Sequence, residues 1–576
     1  MLVVSIKVFQ SLCAAAMAAP MSWRRLVYSV YPPAIAGVFT RISDRIFRAR
    51  DRRGGSSVLL LAPLLAEADP APQRVSRPAG SAGAQGTEGL FGHFRWMAEH
   101  VPAFRVPGTH IHILTSPDQF YQTMKARIKT AKRRVVMASL YLGTGQLEQE
   151  LVDCMEDALQ RSQDNSDSPD LKVSVLLDYT RGSRGQINSR TMLLPLLQRF
   201  TSQMRVSLYH TPDLRGLLRL LVPQRFNETI GVQHIKVYLA NLSDSYFTNR
   251  QDRYVLLENC GEVADFFADL VEAVGDVSLQ LQPDDSVTML EGMVHPYKGN
   301  RQDFSTAARK RIMEVVNTAQ MRQQLANRPE DSEDEGLSDG GLSDGGGGHL
   351  GVPSGADETS GDPGGRAGHT DAGPNSTVFL TSGYFNLTRA YMRLVLGAGA
   401  GYRILTASPE VNGFFGAKGV AGAIPAAYVH IARQFYNQVC SLGQQERIHL
   451  HEYHRPEWTF HAKGLWYYLQ GKDRPCLTLI GSPNFGYRSV HRDLEAQIAI
   501  VTENKALQSQ LQEEQERLYQ RSTEVTSSTF EQPDRHVKLW GERLLWFPFV
   551  LMLKVTPESA DGTLGYNSHQ CVPGSD

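Results

Sequence analysis

Short runs rich in β-branched and aromatic residues alternate along this chain with stretches whose apolar positions fall three and four apart, and the alternation is written twice. In the first half, Val135-Val136-Met137-Ala138-Ser139-Leu140-Tyr141-Leu142-Gly143 leads to Val173-Ser174-Val175-Leu176-Leu177-Asp178, then to Val206-Ser207-Leu208-Tyr209-His210 and to His234. The second half answers with Val378-Phe379-Leu380-Thr381-Ser382-Gly383-Tyr384, Tyr402-Arg403-Ile404-Leu405-Thr406-Ala407-Ser408, Ile448-His449-Leu450-His451 and His461. Runs of this kind predict strands, and the patterns Leu147 to Leu159 and Ala426 to Cys440 predict amphipathic helices between them. Strands alternating with helices define the α/β class, and the recurrence predicts two repeats. Ser116-Pro117-Asp118-Gln119 predicts a further helix that opens with a capping box and with Pro at its first position.

Composition sets the boundaries. From about residue 327 to 376 Gly, Ser, Asp, Glu and Pro dominate, and Gly-Leu-Ser-Asp recurs at Gly336 and Gly341. Such a segment buries too little apolar surface to offset its ordering entropy, so it is expected to be a disordered linker. Its acidic-context serines Ser332, Ser338 and Ser343 read as solvated linker or as phosphorylation sites. The expected layout is a targeting segment at 1–60, an entry segment at 61–107, a first repeat at 108–280, a helical connection at 281–326, the linker at 327–376, a second repeat at 377–525 and an atypical tail at 526–576. A hydrophobic fraction of 41% suffices for sizeable cores, and a net charge of −1 gives no global attraction to nucleic acid or to an anionic surface. The N-terminus departs from that balance. Lys7, Arg24, Arg25, Arg41, Arg45, Arg48, Arg50, Arg52 and Arg53 face only Asp44 and Asp51 there, interspersed with Val, Leu and Phe, the pattern of a mitochondrial transit peptide. A secretory signal is the competing reading, weakened by the short apolar run that Lys7 interrupts. Cys13, Cys154, Cys260, Cys440, Cys476 and Cys571 show neither metal-binding spacing nor the density of a disulfide scaffold. No apolar run is long enough to span a bilayer. Leu214 to Leu221, with Arg215 and Arg219 among leucines, fits either an interfacial helix or an ordinary core helix.

The candidate chemistry lies in two His-x-Lys triplets, His234/Lys236 and His461/Lys463, each in a strand-like stretch. On a strand, residues i and i+2 share a face, so each triplet aims an imidazole and an ammonium at one place. The imidazole can serve as nucleophile or as general acid and base toward a phosphate ester, while Lys and Asn stabilise its non-bridging oxygens. A third triplet, His536-Val537-Lys538, has no polar turn at the matching distance and reads as chance. The second motif is fuller. His461-Ala462-Lys463 runs through a strand to Gly481-Ser482-Pro483-Asn484 and on to Asp493-Leu494-Glu495.

That order of elements resembles the phospholipase D superfamily, and within it the chain resembles the eukaryotic phosphatidylglycerophosphate synthases over most of its length from His110 to Lys538. Arg133 to Gly145, Tyr179 to Gly185, Phe226 to Gly231, Glu410 to Tyr428 and Phe460 to Val501 carry the resemblance. It implies two repeats, each a mixed sheet flanked by helices, with the active site between them. The implied reaction moves a phosphatidyl group from CDP-diacylglycerol to glycerol 3-phosphate and releases CMP, at the surface of the mitochondrial inner membrane and without nucleic acid. The chemistry requires no metal or other cofactor, and the Asp-rich metal motif of the membrane-embedded CDP-alcohol transferases is absent. By resemblance His234 is the nucleophile and His461 the acid and base, with the reverse assignment open. Lys236, Lys463, Asn241 and Asn484 would stabilise phosphate oxygens, and Glu495 would orient a histidine.

Two further segments are candidates for holding substrate. Ala138, Ser139, Leu140, Tyr141, Leu142, Gly143, Thr144 and Gly145 run from a strand into a Gly-Thr-Gly turn before a helix, where backbone N–H groups favour phosphate; a plain strand-to-helix turn is the alternative. Phe414 to Gly422, with Lys418, is the other, against a merely flexible loop. The first motif departs from the superfamily pattern. Asn241 stands where an Asp is expected, and Leu239 runs directly into Ala240-Asn241-Leu242 with no return strand. A superfamily phosphodiesterase, lipase or nuclease, and a catalytically impaired lipid-binding form are therefore the competing functions.

Overall fold

The computed structural model describes residues 2–5, 90–164, 170–237, 242–326, 375–417, 422 and 424–535. Most of the targeting segment, nearly all of the linker with its three serines, Asn241, Lys418 and the tail beyond Arg535 lie outside the described residues.

Among the described residues, eighteen strands follow in chain order. They are β1 (Leu2–Ser5), β2 (Ala103–Phe104), β3 (Ile111–Leu114), β4 (Arg134–Ala138), β5 (Lys172–Asp178), β6 (Met204–Tyr209), β7 (Arg250–Gln251), β8 (Tyr254–Leu257) and β9 (Leu279–Leu281). The rest are β10 (Val287–Thr288), β11 (Thr377–Ser382), β12 (Gly401–Ala407), β13 (Ile448–Tyr453), β14 (Thr459–Phe460), β15 (Lys463–Tyr468), β16 (Leu477–Gly481), β17 (Gln497–Val501) and β18 (Ser522–Glu524). Two mixed sheets result, ordered β10-β9-β6-β5-β4 and β18-β13-β12-β11-β15-β16-β17-β1-β2, together with two strand pairs, β14-β7 and β3-β8. The expected duplication is visible in them. β4, β5 and β6 run parallel in the first sheet as β11, β12 and β13 do in the second. The His461 strand β15 pairs antiparallel with β11, and Val237, just past His234, bridges antiparallel to Ala138 of β4. Leu2–Ser5, inside the segment read as targeting sequence, joins the second sheet between β17 and β2.

Five helices matter below: α1 (Pro117–Thr130), α2 (Gln146–Asp164), α3 (Gly216–Leu221), α4 (Gly261–Asp276) and α5 (Lys505–Tyr519). α1 starts where its sequence says, with Ser116 Oγ accepting from the Gln119 N–H at 3.1 Å. The box is completed one residue early, because Gln119 Oε1 accepts from the Thr115 N–H at 2.8 Å instead of from Ser116. α2 buries Leu151, Val152, Met155 and Leu159 at helical spacing against β4, β5 and β6. A second cluster packs β11 to β13 against the helix Ile424–Ser441. A further cluster joins the repeats. Ile235, Leu176 and Leu270 of the first pack with Trp466, Ile498 and Leu511 of the second.

Candidate active site

The two histidines are placed by one device used twice. Gln233 bridges Leu494 in parallel, and the His234 N–H donates to the Leu494 carbonyl at 2.8 Å. In mirror fashion β14 pairs in parallel with β7, and the His461 N–H donates to the Gln251 carbonyl at 2.8 Å. The residue after each acceptor is an acid. Glu495 Oε2 therefore lies 2.8 Å from His234 Nδ1, and Asp252 Oδ2 lies 2.8 Å from His461 Nδ1. Each repeat supplies the carboxylate for the other's histidine. Close approach needs small residues: a Cβ on Gly383 would stand 3.0 Å from His461 Cα, and one on Gly231 would stand 2.9 Å from the Arg492 carbonyl.

With Nδ1–H committed to a carboxylate, Nε2 is left with its lone pair. Lys236 Nζ lies 3.1 Å from His234 Nε2, and Lys463 Nζ lies 3.1 Å from His461 Nε2. Lys463 Nζ also approaches His461 Nδ1 at 2.7 Å, but that nitrogen's proton is the donor to Asp252, so the contact is a charge contact only. All four side chains are buried. Burial drives both imidazole pKa values below the ordinary range, against the pull of Glu495 and Asp252. Burial likewise lowers Lys236 to about 8 and Lys463 to about 7. Asp252 resists its own burial because Lys463, His461 and Lys236 hold it down at about 2. Glu495 also lies below its ordinary value: burial opposes this and His234 outweighs it, while Ser489 Oγ donates to its other oxygen at 2.6 Å. Because Lys236 and Lys463 each sense both Asp252 and Glu495, the two motifs share one electrostatic centre.

Aromatic and cationic groups border that centre. Tyr246 and Tyr384 stand edge-on to His461 at 5.4 and 6.1 Å between ring centroids. Arg250 lies 3.9 Å over the Tyr246 ring, and Arg181 lies 4.3 Å over that of Tyr141. Asn484 is buried, and its side-chain oxygen has no partner among the described residues.

Ala138–Gly145 needs correcting as a phosphate cradle. The Gly143 N–H donates to the Leu242 carbonyl at 2.6 Å and the Gly145 N–H to Glu148 Oε2 at 2.7 Å, so the two glycine donors of the turn are taken. Glu148 and Asp244 crowd the two glycines, where any added Cβ would collide with them. Burial and the neighbouring Asp244 raise Glu148 to about 7. Carboxylates in the turn disfavour an anion there, and what the segment turns toward Arg181 is Tyr141.

Asp252, Arg250, Tyr246 and Tyr384 were not singled out by sequence reasoning. One signal for Asp252 was present: Asp252 follows Asn241 by the same interval at which Glu495 follows Asn484.

Paired His-x-Lys motifs with crossed carboxylates, set between two mixed sheets, are the arrangement expected of the phospholipase D superfamily. The chain is 59% identical over 553 residues to the bovine mitochondrial CDP-diacylglycerol–glycerol-3-phosphate 3-phosphatidyltransferase, covering 92% of this chain and 97% of that one. The human protein of the same name is 58% identical over 556 residues, covering 92% and 98%. The Saccharomyces cerevisiae transferase is 31% identical over 487 residues, covering 75% and 86%. The chain belongs to the CDP-diacylglycerol–glycerol-3-phosphate 3-phosphatidyltransferase family. Among solved structures, a phosphatidylserine synthase of Haemophilus influenzae superposes with a TM-score of 0.54 at 15% identity, covering 81% of this chain and 98% of that one, which bears on the fold alone. No family model matches the chain.

Proposed function

We infer that this chain works in mitochondria, where it transfers the phosphatidyl group of CDP-diacylglycerol to glycerol 3-phosphate, giving phosphatidylglycerophosphate and CMP. The observation that carries the mechanism is the pair of buried imidazoles, each with Nδ1 fixed by a carboxylate and Nε2 beside a lysine. His234 Nε2 attacks the phosphorus that bears the diacylglycerol. The N–P bond forms as the bond to CMP breaks, and His461 passes a proton to the departing phosphate oxygen. His461 then takes the proton of the glycerol hydroxyl, whose oxygen displaces His234 from phosphorus. Lys236, Lys463 and the Asn484 amide face the non-bridging oxygens. Burial favours neutral imidazoles in the empty site, which suits His461 as base in the second step. The anionic diphosphate, on entering, opposes that bias and favours the charged form needed in the first. Arg250, Arg181 and the tyrosines are positioned to receive the nucleotide.

Purified chain given CDP-diacylglycerol should release CMP in a glycerol 3-phosphate-dependent manner and, without acceptor, form an acid-labile phosphatidyl adduct on His234. Water accepting the phosphatidyl group as readily as glycerol 3-phosphate would identify a phosphodiesterase instead.

Among the described residues no helix is long and apolar enough to cross a membrane. Contact with the inner membrane is assigned to α3, whose Leu220 and Leu221 are 81% and 75% exposed while Leu217 and Leu218 stand out beside them. Arg215 and Arg219, held against the Gly299 carbonyl and the Tyr297 ring, add positive charge that suits anionic headgroups. Replacing Leu220 and Leu221 by Ser should weaken cosedimentation with cardiolipin-containing vesicles severalfold; unchanged binding would remove α3 from the contact. Residues 1–60 are proposed to direct import.

A further inference from the structure

The two repeats place their histidines by the same local pattern and differ there in one charge. Two residues before the acid stands Asp493 in the second repeat, ahead of Glu495, and Arg250 in the first, ahead of Asp252. In extended backbone, residues two apart share a face, so each of these side chains stands on the side of the histidine that the neighbouring acid holds. Asp493, on the His234 side, is consumed by the fold. It is buried, with Oδ1 accepting from the Val232 N–H at 3.1 Å and Oδ2 from Arg488 Nε at 2.9 Å.

Arg250, on the His461 side, is not consumed in this way. It lies over the ring of Tyr246, which itself stands edge-on to His461. Its Nη2 reaches Ser245 Oγ only at 3.4 Å, and its Nε is buried without a partner among the described residues. Among the described residues no carboxylate pairs with it; Asp252, whose charge reaches it, is turned to His461. Other arginines around the motifs are matched: Arg181 with Glu228 at 3.7 Å, Arg488 with Asp493 at 2.9 Å and Arg253 with Glu514 at 2.8 Å.

The reaction is unequal in the same sense. Displacement at phosphorus runs in line, so when His234 attacks, the leaving oxygen departs on the His461 side, and the acceptor oxygen later arrives there. CMP brings a phosphate to that side in the first step. Once CMP has left, the Arg250 charge is unmatched again, and an acceptor carrying its own phosphate restores the match where glycerol does not. A guanidinium suits that task, because its paired N–H donors fit two phosphate oxygens at once.

We propose that Arg250 makes this enzyme choose a phosphorylated acceptor, by binding the phosphate of glycerol 3-phosphate while the glycerol hydroxyl displaces His234. The inference rests on the transferase reading above and adds a specificity-determining residue to it. Internal competition tests it. The full chain is given CDP-diacylglycerol with glycerol 3-phosphate and glycerol together, and phosphatidylglycerophosphate and phosphatidylglycerol are quantified by mass spectrometry. Their ratio depends on how the adduct is shared between acceptors and not on how fast it forms. Arg250→Met should lower the ratio by about 30-fold or more, the scale of one charge-assisted contact. Arg250→Lys, which keeps the charge and loses the paired donors, should fall between the two. In the unaltered chain inorganic phosphate should also lower the ratio, because it competes with glycerol 3-phosphate for Arg250 and not with glycerol. A ratio left unchanged by Arg250→Met, including one in which both products fall together, or left unchanged by phosphate would overturn the proposal. An unaltered chain with no preference for glycerol 3-phosphate over glycerol and water would overturn the transferase reading, and the proposal with it.

Discussion

The acids that hold the two imidazoles differ, and the difference can be tested. Glu495 is fully buried and shared with Ser489, whereas Asp252 is held at about 2 by two lysines and His461. An amide at 252 keeps the shape and loses the charge that fixes the His461 tautomer. Asp252→Asn should lower kcat by about 10²-fold or more, with KM little changed, and the adduct on His234 should accumulate because the second step needs His461 as base. Quench and mass spectrometry would read it; an adduct on His461 would reverse the two roles. The lysines set a pH limit. Burial lowers both, so their charge is present below about 7 for Lys463 and about 8 for Lys236 and is lost as pH rises through those values. KM for CDP-diacylglycerol should therefore rise above neutral pH, by up to about tenfold per unit, and Lys463→Arg should move the onset upward. A pH-independent KM would show that substrate does not depend on these charges. The histidines and lysines were legible because a repeated triplet on a strand has few other uses. Asp252 was overlooked because Asn241 was read as occupying the place of the expected Asp, which hid the spacing it shares with Asn484 and Glu495.

Among the secondary-structure elements, long periodic segments announced themselves and short ones did not. α2 and the helix Ile424–Ser441 extend the predicted patterns by a few residues at their ends, and β4 to β6 and β11 to β13 fall where β-branched runs predicted them. β7 and β14 have two residues each, too few for any periodicity, and they form because the repeats dock. Leu214 to Leu221 was ambiguous in sequence, since leucines at helical spacing suit a core or a membrane equally. The fold buries Leu214 and leaves the rest outside. The missing return strand after Leu239 carries the most testable consequence. Among the described residues β15 pairs as a strand with both β11 and β16, whereas the His234 segment is held by single bridges, Val237 to Ala138 and Gln233 to Leu494. Misplacement of about 1 Å can cost about 10²-fold in rate. A variant with a strand copied from β16 inserted between Leu239 and Ala240 should release CMP up to about 10²-fold faster per folded molecule. Equal turnover would show that one edge suffices.

Across the molecule as a whole, the duplication was readable because each half repeats the other's order of elements, while the way the halves join was not. Contacts such as those of Arg253 with Thr478 and with Glu514 link residues far apart in sequence, and no local pattern marks them. The N-terminal region is read from sequence as a targeting segment, and Leu2–Ser5 within it occupies a strand position in the second sheet. Residues 1–60 fused to a fluorescent reporter should enter mitochondria, and Glu at Arg41, Arg45, Arg48 and Arg50 should abolish entry. A diffuse or secreted reporter would refute the assignment. The crossed carboxylates have a consequence for chains that are not yet whole. His234 depends on an acid 261 residues ahead of it and His461 on one 209 residues behind. A copy broken between the repeats, or one still threading into the organelle, carries each histidine without its acid. Under the proposed mechanism such a copy lacks both placed imidazoles, so unfinished copies are expected to be inert toward CDP-diacylglycerol and not leaky hydrolases of it.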